Sequence, residues 1–260
     1  MCYYMSPEKL HAFLKEWSEK NQEWNNIKNA FDAAFTKADP PMTYNAPYLA
    51  MGKAKPQITV LHKTAGSYRF ENMQWSLELS FSGRDGTKTY ELVNSMCEKV
   101  FKNHADIIYS QRCVIPIKGY FEFYHKAGQT YPMFIRPKKD EDIVFLAGVW
   151  KEKVNTQTGE VQKQFSVITT PPNAMARKIH NSPKAPNGPR MPLILEMEQV
   201  PEYLDNTLKK EQIQEFLQAF PDEKLKYHPV WRFLKKENVA NANSAQSRMP
   251  VEYPDLGKLI

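Results

Sequence analysis

The spacing of apolar residues changes character near residue 40. In "SPEKLHAFLKEW" Leu10, Phe13, Leu14 and Trp17 recur at helical intervals, behind Ser6 as an N-cap, Pro7 at the first helical position and Glu8 in the first turn. A helix is predicted there. A second carries Trp24, Ile27, Phe31 and Phe35 until the prolines of "ADPPMTYNAP" end it. Beyond that point come short runs rich in β-branched and aromatic residues, separated by Gly, Asp, Asn and Lys turns: "QITVLH", "SYRFENMQWSLEL", "RCVIPIKGYFEFYH", "TYPMFIRP", "DIVFLAGVW" and "KQFSVITT". About six strands are predicted. The short "HKAGQ" between Tyr124 and Tyr131 joins two of them as a hairpin, so at least part of the sheet is antiparallel. "PNAMARKIH" and "KKEQIQEFLQAF" return to helical spacing, and "VANANSAQSRMPVEYPDLGKLI" reads as irregular surface chain. Alternating βα units and linkers are both missing from the pattern. The expected fold is therefore α+β: one domain over residues 1–260, with a mixed, largely antiparallel, barrel-like sheet core and peripheral helices.

Composition narrows the picture only slightly. A formal net charge of +6 and a pI near 9.0 suit a polyanionic partner without singling one out. The three cysteines, Cys2, Cys97 and Cys113, form no C-x-x-C pair and no zinc-type spacing with histidine. Neither a disulfide framework nor a metal is expected, and a reducing cytoplasm fits best. No signal-like leader opens the chain, and no apolar run approaches the ~20 residues of a membrane helix, so a membrane location is not expected.

Four positions hold chemical potential. Cys2 follows the initiator methionine, and removal of Met1 would leave a free α-amine and a thiol on one carbon skeleton. Glu122 interrupts the aromatic run "GYFEFYHK" and shares a strand face with Tyr120 and Tyr124. Facing solvent it would be an ordinary surface carboxylate; facing a cleft it would be desolvated, its pKa raised towards the range useful for proton transfer. His180 stands where helical pattern gives way to the Pro- and Gly-rich "NSPKAPNGP", and Asn94 sits at a strand-to-helix change where the ordinary role is an N-cap.

The order of these motifs carries more than any one of them. Met-Cys at the start, Asn94-x-x-x-Glu98, the strand from Arg112-Cys113-Val114-Ile115-Pro116 to Glu122, "LAGVW", "FSVITTPPNAM", and Ile179-His180 followed by Arg190-Met191-Pro192 together resemble the SRAP family, the SOS response-associated peptidase-like, abasic-site processing proteins. "YNAP" at Tyr44 to Pro47 and Trp75 match more loosely. The resemblance implies a protein that recognises abasic sites in single-stranded DNA and crosslinks to them through Cys2, as a monomer and without a cofactor. Asn94 would hydrogen-bond the sugar, Glu122 would shuttle protons, His180 would assist at the ring-opened sugar and Schiff base, Arg190 would contact the DNA backbone, and Pro47 and Trp75 would pack against bases. The chain also departs from the family pattern. Tyr3 and Tyr4 stand where Gly-Arg is usual and Ser95-Met96 where Ala-Arg is usual, so two phosphate-binding arginines are missing, at positions 4 and 96; Lys184 is a candidate replacement charge. Two other readings remain open at this level: a cysteine amidohydrolase or thiol protease with Cys2 as nucleophile and His180 as base, and a non-covalent single-strand-binding module.

Overall fold

The computed structural model describes the chain apart from residues 1, 5–6, 45–48, 84–85, 140–142, 184, 186, 234, 236, 239–241 and 258–260, and gives main chain alone at 2–4, 7, 8 and 83. Ser6, Pro47 and Lys184, each assigned a role above, lie outside the described residues.

The helices begin where the pattern predicts. Helix α1 (Pro7–Ser18) buries Leu10 and Leu14, and α2 (Gln22–Phe35) buries Trp24, Ile27 and Phe31. The side chain of Asn21 caps α2 by accepting from the Glu23 N–H at 2.7 Å, satisfying one of the donors a helix start leaves open. Four shorter helices follow: α3 (Val100–Asn103), α4 (Ala174–Ile179), α5 (Gln199–Tyr203) and α6 (Lys210–Phe216). The helical run in "KKEQIQEFLQAF" stops at Phe216, a few residues ahead of Pro221.

Strand content exceeds the expectation. The strands are β1 (Cys2–Tyr4), β2 (Gln57–Thr64), β3 (Ser67–Trp75), β4 (Leu77–Gly83), β5 (Gly86–Leu92), β6 (Asn94–Met96), β7 (Arg112–Lys126), β8 (Gln129–Pro137), β9 (Val144–Val154), β10 (Val161–Thr170), β11 (Met191–Pro192), β12 (Ile194–Leu195) and β13 (Leu225–Pro229). The six predicted runs reappear as β2, β3 with β4, β7, β8, β9 and β10, the long "SYRFENMQWSLEL" dividing at Ser76. The strands that pattern misses are two to five residues long, or, in β5, almost wholly polar and exposed. Eleven strands form one sheet, in which β9, β10, β3, β2 and β7 pair in turn and β7 pairs back with β9, closing a five-stranded barrel. Among the pairs of described residues, only β10 with β3 and β10 with β6 run parallel; the α+β, mostly antiparallel, barrel-like expectation holds. The predicted hairpin joins β7 to β8 through Ala127 and Gly128, both at positive φ (48° and 74°), as a two-residue primed turn requires.

Alternation assigns each face. On β7, Cys113, Ile115 and Ile117 pack with Ile58, Val60, Met73 and Leu146, whereas Val114 points the other way, with Phe145, Ala147 and Val149 of β9, into the layer covered by α1 and α2. Phe13 and Trp24 both meet Phe145, at 5.8 and 5.7 Å between ring centroids. Burial of β7 on both faces explains its continuous apolar "CVIPI" run. Arg112, at the head of the motif strand, is an internal anchor: buried, it donates to the carbonyls of Ile108, Tyr203 and Asp205, and burial holds its pKa below the ordinary value.

β7 has a tight point at Gly119, opposite Tyr3 of β1. A Cβ there would lie 2.5 Å from the Ile135 carbonyl oxygen and 2.6 Å from the Phe134 ring, and main chain cannot yield as a side chain can. Gly119→Ala is accordingly expected to lower unfolding free energy by about 1–3 kcal/mol, read as a lower urea midpoint at unchanged slope.

Candidate functional site

A cleft of about 520 Å³ opens where the ends of β6, β7 and β10 meet the loop leading into β11. Asn94, Glu122, His180, Arg190 and Trp75, five of the seven residues singled out in the sequence, line it. The sixth, Cys2, is described in its main chain: β1 runs antiparallel to β7 with Cys2 opposite Tyr120, which lines the cleft two residues from Glu122. Pro47 lies outside the described residues.

Glu122 faces the cleft rather than bulk water, its side chain about one fifth exposed (21%). Burial pushes its pKa above the ordinary carboxylate value of 4.5, opposed by the positive charge of His180. His180 follows the last residue of α4, as the sequence places it, and its Nδ1 lies 3.8 Å from a Glu122 carboxylate oxygen. The same Nδ1 is 3.0 Å from the Arg190 carbonyl oxygen and 3.3 Å from the Arg190 N–H. One tautomer donates to the carbonyl and the other accepts from the amide, so the ring keeps its place in either form.

Arg190 is held on several sides. Glu98 accepts two hydrogen bonds from its guanidinium at 3.0 and 2.7 Å, and Thr169 accepts through Oγ1 at 3.0 Å and through its carbonyl at 2.8 Å. The carboxylate of Glu98 is in turn kept below its usual pKa, chiefly by Arg190. This bidentate pair explains the Asn-x-x-x-Glu spacing: Asn94 opens β6 beside Val167 of β10, and Glu98 reaches the arginine one turn later.

Two expectations are corrected. Asn94 is no N-cap; it begins a strand paired in parallel with β10, and Met96 precedes the following turn at Cys97–Lys99 without a side-chain cap. Trp75 belongs to the cleft wall but is only 3% exposed, with its ring stacked on Phe165 at 6.1 Å and its Nε1 donating to the Val93 carbonyl at 2.9 Å. It has no free ring face for a base. Thr169, Tyr120 and Lys53 also line the cleft without having been singled out; only "FSVITT" in the motif pattern pointed near Thr169. Among the described residues no cluster of three or more His, Cys, Asp or Glu could hold a metal ion, and no helix is long and apolar enough to cross a membrane.

Comparison with known proteins bears directly on this arrangement. The profile of SOS response associated peptidase (SRAP) matches residues 1–237. The chain belongs to the SRAP family. Among curated SRAP relatives, abasic site processing protein YoqW, of Bacillus subtilis (strain 168) and of Bacillus phage SPbeta, is 27% identical over 66% of this chain and 74% of its own length. Abasic site processing protein YoaM of Bacillus subtilis (strain 168) is 25% identical over 84% of this chain and 91% of its own. A crystal structure from Bacteroides thetaiotaomicron shares the fold at a TM-score of 0.69 and 23% identity, covering 87% of this chain and 96% of that one. Another, from Bordetella bronchiseptica, aligns at a TM-score of 0.59 with 17% identity, over 80% and 95%.

The raised pKa of Glu122 has a thermodynamic consequence. A carboxyl whose folded pKa lies above its unfolded one binds more protons in the native state, so its contribution is complete below pH 4.5 and is lost as pH rises through the folded value. Glu122→Gln should therefore melt higher than wild type at neutral pH, with the difference closing below about pH 4.5; a parallel series of melts at pH 4 and pH 7 measures it.

Proposed function

We propose that this SRAP protein captures abasic sites in single-stranded DNA as a covalent adduct through Cys2 once Met1 is removed. The observation that supports it most directly is the register of β1, with the Cys2 main chain opposite Tyr120 and beside the cleft that holds Glu122, His180 and Asn94. The names of the YoqW and YoaM relatives point to abasic sites, without specifying the strand state.

The chemistry follows from the groups. An abasic deoxyribose is partly an open-chain aldehyde. An α-amine of pKa ~8 is neutral in about a quarter of molecules near pH 7.5, far more than a lysine, and so is the better nucleophile. Its nitrogen adds to the aldehyde carbon, and loss of one water leaves the imine. The Cys2 thiol then adds across the C=N bond: sulfur bonds to carbon, the thiol proton ends on nitrogen, and a five-membered thiazolidine closes. Holding both nucleophiles on adjacent carbons favours closure strongly. Glu122, whose pKa is raised by burial, supplies the proton that expels water and takes it back on reopening. His180, 3.8 Å away, is the neighbouring acid and base at the sugar, and Asn94 offers an amide to its hydroxyl groups.

Processed protein mixed with a single strand bearing one abasic site should yield a complex that survives denaturing electrophoresis, and Cys2→Ala or retention of Met1 should abolish it. Stable crosslinking by Cys2→Ala would overturn the thiazolidine; a thioester with an acyl substrate and no reaction with aldehydes would favour the thiol hydrolase instead. In a folded Glu122→Gln variant, formation and release should both slow, within the ~10²- to 10⁴-fold that proton transfer is typically worth.

Arg190 contributes to phosphate binding only as far as Glu98 releases it. Glu98→Ala is expected to steepen the salt dependence of single-strand affinity by about one contact, a slope change of roughly −0.7, and adding Arg190→Ala should cancel that increment. An unchanged slope in Glu98→Ala would remove Arg190 from phosphate contact.

A further inference from the structure

The β4–β5 hairpin is rooted in the cleft at both ends yet stands outside the eleven-stranded sheet. The chain leaves the cleft wall at Trp75 and returns to it at Val93 and Asn94. Its two faces differ. One carries Glu78, Ser80, Ser82, Thr87, Thr89 and Glu91, with Ser80 and Thr89 hydroxyls hydrogen-bonded at 2.9 Å. The other carries Leu77, Leu79, Phe81, Lys88, Tyr90 and Leu92. The protein body covers this second face at its root, where Leu77 is fully buried, and leaves it open towards the tip, where Phe81 is 44% and Tyr90 50% exposed. The two rings stand 6.0 Å apart, edge to face, and exposed Lys88 lies directly across the ladder from Phe81.

We propose that Phe81 and Tyr90 form a base-stacking platform for the unpaired nucleotides that flank the strand segment held in the cleft. This rests on the single-stranded DNA reading above and extends it to the flanking strand. Three observations favour this occupant. The hairpin is continuous with the cleft, and Phe81 stands about 17 Å along β4 from its root at Ser76, beyond the lesion but within reach of its neighbours. The buried Trp75 has no ring face to spare, so the rings open to bases near the cleft are those of Phe81 and Tyr90 among the described residues of the hairpin. Finally, two aromatic side chains bury at most about 500 Å² together, below the roughly 800 Å² that each partner buries in a standard protein interface, whereas one or two bases require no more. Lys88 adds a cation beside the rings for the intervening phosphate, on a chain that lacks arginine at positions 4 and 96. Stacking of this kind tolerates any sequence, since every base has a π-face.

Fluorescence anisotropy with an undamaged oligothymidylate tests the platform without requiring any covalent step, so its outcome is separable from that of the Cys2 experiment. Phe81→Ala/Tyr90→Ala should weaken binding about tenfold, while Phe81→Trp/Tyr90→Trp should retain it. A strand of equal length built from base-free tetrahydrofuran units should bind wild type and the alanine variant alike. Both variants should melt with wild type, because the rings are half exposed. Unchanged affinity of the alanine variant for oligothymidylate, or an equal loss on the base-free strand, would overturn the proposal. So would sedimentation showing that the variant loses self-association while DNA binding is untouched, which would assign the face to a second copy of the chain.

Discussion

Closure of β7 onto β9 is the constraint on which the rest of the structure depends. β7 pairs with β1, β2, β8 and β9, and its last pairing turns an open sheet into a ring. Within a ring no strand can slip without breaking ladders on both sides, and a slip of one residue would turn every side chain to the opposite face. Glu122 thereby faces the cleft while Phe121 is buried with Phe134 and Phe233 on the other side. The same strand receives β1, so the start of the chain is tied in register to the residue that would exchange protons with it.

Charge inside this frame is arranged at some cost to stability. A carboxyl largely shielded from water is unfavourable in its ionised form, and its pKa rises accordingly. The protein keeps it beside His180 rather than beside a permanent cation; the nearby arginine is instead neutralised by Glu98. Arg190 also holds His180 through its main chain.

The departures from the family pattern fall outside Cys2, Asn94, Glu122 and His180. Arginines are missing at positions 4 and 96, and the tryptophan in the cleft wall is buried. In the same region the chain builds a hairpin with an exposed aromatic pair and a lysine. Fold similarity to the Bacteroides thetaiotaomicron structure extends over most of the chain although only 23% of residues are identical.

Local pattern alone determined α1 and α2, the β7 strand, the hairpin across "HKAGQ" and the α+β class, because helical spacing, strand runs and turn chemistry each act within a few residues. The order of the motifs likewise pointed to Cys2, Asn94, Glu122, His180 and Arg190. Tertiary structure decided what local pattern does not encode: that Asn94 opens a strand instead of capping a helix, that Trp75 turns inward onto Phe165, that Glu98 occupies the guanidinium of Arg190, and that polar "GTKTYEL" pairs as a strand. Each depends on which distant segment lies alongside. Pairings such as Val167 with Asn94 join segments far apart in the chain, and their free energy belongs to no single stretch of sequence.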